Sequence, residues 1–136
     1  MTKSINWLGV IAALVFGQAL SFVWYGMLFG TQLHATMAAS ARTPLGLAEG
    51  AGLSLLMIIG LAIILGRMGA KGWAGGATAG ALLWLVLPFI GELMNVVYMG
   101  EGQVLFLANA GYTLIFMTVT GALLAGLQLP MAKAAA

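Results

Sequence analysis

The fold is decided by residues 73–99, which read WAGGATAGALLWLVLPFIGELMNVVYM. This stretch carries one charged side chain, that of Glu92, and a helix of about 20 apolar residues is enough to cross a bilayer. A soluble protein exposes far more charge along a segment of this length. The stretch therefore predicts a transmembrane helix that contains a single acidic residue.

The same apolar pattern recurs in three other segments of the chain. Together the predicted helices cover roughly residues 5–30, 47–65, 73–99 and 104–129. A backbone in lipid must satisfy its own hydrogen bonds, so segments of this length are helices. The connections between them are short. We therefore predict an all-α integral membrane protein, a four-transmembrane-helix bundle that forms a single domain over residues 1–136.

Composition narrows the possible partners and cofactors. Hydrophobic residues make up 62% of the chain and charged residues 6%, so the lipid bilayer is the expected environment. The chain has no cysteine, no aspartate and one histidine, and we predict neither a metal site nor a cofactor. The five basic residues are scattered rather than clustered, which argues against nucleic acid as a partner.

The basic residues predict the orientation of the bundle. In a four-span topology Lys3, the turn with Arg67 and Lys71, and Lys133 share one side, whereas Arg42 lies on the other. Positive charge accumulates on the cytoplasmic side of membrane proteins. Both termini are therefore expected in the cytoplasm, and we expect a multi-pass protein of the bacterial inner (cytoplasmic) membrane.

Polar residues concentrate toward the outer half of the predicted bundle, where they suggest a pocket centred on Glu92. Ionisable residues inside membrane spans are costly and are often functional. We assign a hypothetical catalytic role to Glu92 and Tyr112. The candidate ligand-binding residues are Gln18, Tyr25, Trp84, Asn95 and Asn109. Secondary candidates are Glu49, Trp24 and His34.

Each candidate also has a purely structural interpretation. Glu92 can be a protonated acid that hydrogen-bonds Asn95 or Asn109 and only holds helices together. Trp24 and Tyr25 suit the aromatic belt at a membrane interface. Glu49 suits the first turn of a helix, and His34 suits a surface loop.

Small residues repeat at helical spacing in the third predicted helix. Gly72, Gly76 and Gly80 recur every four residues, and Ala122 and Gly126 continue the pattern in the fourth helix. Such residues let helix backbones approach closely. These two helices carry more small residues on one face than packing within one small bundle needs, so we expect a homo-oligomer.

Several motifs give the chain a family resemblance. They are Asn6-Trp7, Trp24-Tyr25 and Phe29-Gly30 near the start, and Asn109-Ala110-Gly111-Tyr112 followed by Gly121 in the last helix. In these motifs the chain resembles a bacterial family of small four-helix membrane proteins catalogued as a domain of unknown function. The resemblance implies the fold and a membrane location, and it implies no established activity.

Three functions remain open on the sequence. The first is binding or transport of a small molecule, cation or proton at Glu92, with a small lipophilic or cationic ligand. The second is a membrane-embedded enzyme of isomerase, cyclase or hydrolase type that uses Glu92 as a general acid. The third is a structural or accessory subunit in which every polar residue serves packing.

Overall fold

The protein is a bundle of four apolar helical spans. The computed structural model describes residues 5–29 and 43–127. The four helices long and apolar enough to cross a membrane are Trp7–Leu28, Pro44–Met68, Gly72–Met99 and Gln103–Gly126. The described residues contain no strand. The predicted all-α, four-span fold class is confirmed, and the protein is a multi-pass membrane protein.

Two of the spans are not uniform α-helices. The first consists of α1 (Trp7–Ser21), which continues directly as a π-helix over Phe22–Leu28. The second span is α2 (Pro44–Met68). The third is divided into α3 (Gly72–Val86) and α4 (Pro88–Met99), and the fourth is α5 (Gln103–Gly126).

Asn6 fixes the start of the first span against the end of the last. Its side-chain oxygen accepts a hydrogen bond from the Gly9 N–H at 3.1 Å and so caps α1. Its side-chain nitrogen donates to the carbonyl of Leu124 at 2.8 Å and also to that of Leu127. One amide therefore caps one helix and satisfies carbonyls at the C-terminal end of another.

Local sequence signals set both ends of α2. Thr43 accepts a hydrogen bond from the Gly46 N–H at 3.1 Å and Pro44 occupies the first turn, so the helix begins a turn before the predicted residue 47. At the other end Gly69 has a φ of 71°, and the Ala70 N–H bonds the Leu65 carbonyl at 3.1 Å. This glycine C-cap reverses the chain within three residues and starts α3.

The closest helix contact joins α3 to α5. A Cβ atom added at Gly76 would collide with the carbonyl oxygen of Gly121, and one at Gly80 would collide with that of Met117. Two members of the predicted glycine stripe therefore serve packing within the chain. Gly72, the third member, has a φ of 72° and open space around it, so it belongs to the turn.

The third span is interrupted at Leu87. Pro88 has no N–H to donate to the carbonyl one turn earlier, that of Trp84, so α3 ends at Val86 and α4 begins at Pro88. Leu87 has a ψ of −77°, so the helix is distorted at this residue, although its N–H still bonds the Leu83 carbonyl at 2.9 Å.

The buried core occupies one half of the bundle. Its members come from the start of the first and third spans and from the end of the second and fourth: Val10, Ala13, Ile58, Leu61, Leu65, Ala79, Phe116, Met117 and Leu124. The π-helix and α4, at the other end, contain no buried residue. The tightly packed half is therefore the one that holds the turn between α2 and α3.

We predict that Gly76→Ala lowers the free energy of unfolding by about 1–3 kcal/mol, because the new methyl group overpacks the contact with α5. The matched control is Gly75→Ala on the same turn, where an added Cβ meets no atom within 4 Å. Both changes alter helix propensity equally. Unfolding in mixed detergent measures the difference, and equal stability of the two variants would contradict the described α3–α5 contact.

Candidate functional site

The π-helix directs two neighbouring aromatic residues of the first span onto α5. The indole N–H of Trp24 donates to the Ala108 carbonyl at 2.8 Å, and the hydroxyl of Tyr25 donates to the side-chain oxygen of Asn109 at 2.7 Å. A Cβ atom at Gly111 would lie 2.9 Å from the Trp24 ring, so this glycine makes room for it. Tyr25 and Asn109 are thereby joined across the bundle.

Trp84 holds the third span against α5 just before the helix break. Its indole N–H lies 3.1 Å from the Ala110 carbonyl and 3.0 Å from the Thr113 hydroxyl. Phe89, the second residue of α4, packs on the Trp84 ring with centroids 4.9 Å apart. These contacts keep the beginning of α4 beside α5 and bring Glu92 toward Asn109.

Two carboxyl groups meet at Asn109. The side-chain nitrogen of Asn109 donates to Glu101 at 3.3 Å. The carboxyl group of Glu92 lies close enough to the side chains of Asn109 and Glu101 to interact with both electrostatically. Glu101 stands in the turn between α4 and α5, which Gly100 opens with a φ of 67°. We refer to Tyr25, Glu92, Glu101 and Asn109 as the Glu92 cluster.

One oxygen of each carboxyl group in the cluster lacks a partner. The Oε2 atoms of Glu92 and Glu101 are both buried, and neither has a hydrogen-bond partner in the part of the chain that the structure describes. Buried polar atoms are nearly always paired, and a buried negative charge is costly unless it is compensated. The two basic residues within the described ranges, Arg67 and Lys71, lie in or beside the turn at the other end of the bundle. The cluster thus offers acceptor atoms without a described cation beside them.

Tyr112 lies next to the Glu92 cluster, but its hydroxyl is engaged elsewhere. The hydroxyl is 2.7 Å from that of Ser21 and 3.4 Å from the Gly17 carbonyl, so it bonds the first span. Its ring packs against Tyr25 with centroids 5.2 Å apart. The structure therefore links Tyr112 to Glu92 only through the Tyr25 ring, and a catalytic role for Tyr112 stays a prediction.

The remaining candidates lie outside this network. Asn95 is exposed, because the half-buried stripe of the third span continues from Glu92 to Val96 instead. Gln18 is half-buried and its side chain has no hydrogen bond to any residue in 5–29 or 43–127, and Glu49 is exposed. His34 lies outside the described residues. Trp24 and Trp84 use their single N–H groups on α5 and have none left for a ligand.

Glu101 is the functional candidate that the sequence analysis missed. Its position in a short turn favoured a solvated loop residue. The signal was Gly100 directly before the acid, since its positive φ allows the tight reversal that brings the carboxyl group of Glu101 back toward Asn109.

Comparison with known proteins yields one match. A family model described as "Protein of unknown function (DUF1761)" covers residues 8–125. No curated protein and no solved structure matches the chain. The resemblance to a family catalogued as a domain of unknown function is thereby confirmed.

We predict that Asn109→Leu lowers the free energy of unfolding by about 1 kcal/mol, in line with hydrogen bonds between membrane helices. The substitution leaves Tyr25 and Glu101 without their shared partner. The control is Gln18→Leu, which removes an amide without a described hydrogen bond. Unfolding in mixed detergent compares the two, and an Asn109 variant as stable as the Gln18 variant would refute a bonded cluster.

Proposed function

Because the chain belongs to this family of unknown function, we propose an activity from its own geometry: the Glu92 cluster binds a proton or a small cation and exchanges it with the aqueous phase. One observation carries the proposal. Two carboxyl groups lie side by side, and each has a buried oxygen without a partner among the described residues. A proton or a cation shared between Glu92 and Glu101 satisfies both atoms.

Electrostatics support a shared positive ligand. Two ionised carboxylates that lie side by side repel each other strongly in a medium of low dielectric constant. Glu92 and Glu101 would therefore need a counter-charge between them if both were ionised. Asn109 donates to Glu101 and accepts from Tyr25, which leaves both neutral groups oriented and the two acids facing each other. The described residues contain no group of three or more His, Cys, Asp or Glu side chains that could hold a metal ion. This ligand supply favours a proton or a monovalent cation.

In this proposal the cluster exchanges its ligand with the water at one side of the membrane. Glu101 stands in the turn outside the candidate spans, and Glu92 lies seven residues before Met99, roughly 10 Å from the end of its helix. We infer from the basic residues that both termini are cytoplasmic, so that this turn faces the outside of a bacterial inner membrane. The ligand then enters from the outer side past Glu101.

The binding unit is, in our proposal, a homo-oligomer. Helix α4 contains no buried residue, and Glu92 is only half-buried at the edge of the bundle. A carboxyl group that borders lipid is costly, and a second copy packed on α4 shields it. Four spans are also few for a transport path within one chain.

Cysteine crosslinking tests this assembly, since the chain has no native cysteine. Val97→Cys on α4 is expected to crosslink between copies in native membranes, because its side chain is 73% exposed on the proposed contact face. The control is Leu53→Cys, which is 67% exposed on a different helix, α2. A single-copy particle that keeps full activity, or equal crosslinking of both variants, would refute the oligomer.

Vesicle flux measurements test the proposed activity. In proteoliposomes with a pH-sensitive dye inside, we expect the protein to carry protons down a pH gradient, and Glu92→Gln or Glu101→Gln to lower the rate at least about tenfold, as is typical for losing a proton-transfer group. Replacing the pH gradient by a sodium or potassium gradient distinguishes a proton from a cation.

The control for this experiment is Glu49→Gln. Glu49 is the third acid of the chain and is exposed on α2, so its variant should keep the parent rate. Absence of flux in the parent protein would contradict the proposal. Full flux in both cluster variants would reduce Glu92 and Glu101 to hydrogen-bonding groups between helices and favour an accessory subunit.

A further inference from the structure

A second feature of the molecule lies at the opposite end from the Glu92 cluster. A shallow groove of about 400 Å³ opens between the end of α2 and the start of α3. Its wall on α3 is formed by residues at helical spacing, among them Ala74, Thr78 and Leu82. The Thr78 hydroxyl donates to the Ala74 carbonyl at 2.8 Å, so it is satisfied within its own helix. The groove is therefore lined by small and apolar surface.

Two basic residues are neighbours in the chain of residues that line this groove. Arg67 precedes the lining residue Met68, and Lys71 follows the lining residue Ala70, so the Cα atom of each lies about 3.8 Å from the Cα atom of a lining residue. Both are exposed, and neither forms an ion pair with any residue in the described parts of the chain. An apolar slot with positive charge at its entrance is complementary to a molecule with an apolar tail and an anionic head.

The start of α3 adds to the positive potential at the same place. The helix has no side-chain cap and no acidic residue in its first turn. Its first N–H groups have no partner within the helix and point toward the turn with a partial positive charge. Gly72 and Gly75 have open space where a Cβ atom would stand, so an oxygen atom can approach this backbone closely.

We propose that this groove binds one anionic phospholipid. An acyl chain lies along α3 from Ala74 to Leu82, a length of roughly 12 Å. The phosphate lies at Arg67, Lys71 and the first turn of α3. The depth is suitable, because the second span ends at Met68 and the third begins at Gly72, which puts the mouth of the groove at the edge of the apolar region.

The positive-inside distribution of charge accounts for the two cations, but it does not account for the groove beside them. A topological signal needs only basic residues in a loop. Here the cations coincide with an apolar slot and with an uncapped helix start, and all three features match parts of one lipid molecule. If both termini are cytoplasmic, the groove faces the leaflet that holds most anionic lipid.

The experiment measures lipid retention by native mass spectrometry of the purified protein in mild detergent. The probes are dioleoylphosphatidylglycerol and dioleoylphosphatidylcholine, which share their acyl chains and differ in charge. The first variant is Gly75→Leu, which fills the groove without meeting protein atoms, since nothing lies within 4 Å of the added Cβ. Its control is Gly52→Leu, which enters equally open space on α2 about 24 Å away along the helix.

The parent protein is expected to retain one phosphatidylglycerol per chain in preference to phosphatidylcholine, and Gly52→Leu should behave like it. Gly75→Leu should lose this preference while both cations remain. Removing both cations, as Arg67→Gln with Lys71→Gln, should weaken retention about 25-fold, at about fivefold for each charge. The charge-preserving pair Arg67→Lys with Lys71→Arg should restore it.

Three results would overturn the proposal. Equal retention of the two lipids by the parent protein would show that the charges do not select the ligand. Unchanged preference in Gly75→Leu would show that the cations attract lipid headgroups without the groove. A rise in melting temperature with glycerol 3-phosphate equal to that with phosphatidylglycerol would show a site for a free phosphate rather than for a lipid.

Discussion

Helices α3 and α5 approach each other until the backbone of Gly76 touches the carbonyl of Gly121, which leaves no room for a side chain between them. This contact fixes the rotation and depth of the third span against the fourth. Two turns beyond Gly76, Trp84 consequently meets the backbone of α5 at Ala110. The chain then turns at Pro88, and Glu92 reaches Asn109. The position of the acidic site thus follows from a close approach of two backbones about four turns away.

Helix α5 also serves as the common acceptor for the polar side chains of the bundle. Asn6, Trp24 and Trp84 all donate to its backbone carbonyls, at Leu124, Ala108 and Ala110. A carbonyl oxygen has two lone pairs, so it can accept a side-chain donor in addition to its helical N–H. Little water competes for these groups within an apolar bundle. These three donors are therefore satisfied. Among the described residues, the buried polar side-chain atoms without a partner are Oε2 of Glu92 and of Glu101 and the hydroxyl oxygens of Thr118 and Thr120.

The architecture could be predicted from the sequence because the length of an apolar segment alone determines a membrane span. The close helix contact could also be anticipated, since Gly76 and Gly80 stand one turn apart in the third span. The hydrogen bond between Tyr112 and Ser21 could not be predicted from the sequence. Each span is apolar around most of its circumference, so periodicity does not say which face meets which neighbour. The contact of the Glu101 side chain with Asn109 depends on the geometry of the turn, which hydropathy does not predict.

The break at Pro88 divides the third span into two parts with different mechanical freedom. Helix α3 is packed against α5 through its glycines, whereas α4 buries no residue and follows a proline that cannot donate the helical hydrogen bond to the Trp84 carbonyl. Segments with few buried contacts are the first to move at low energetic cost. Glu92 lies on this short helix, whereas Asn109 lies on α5. The N–H of Glu101, in the turn between them, bonds the Asn95 carbonyl of α4 at 3.4 Å. A movement of α4 about Leu87 would then change the distance between Glu92 and Asn109 before it disturbed the contact between α3 and α5.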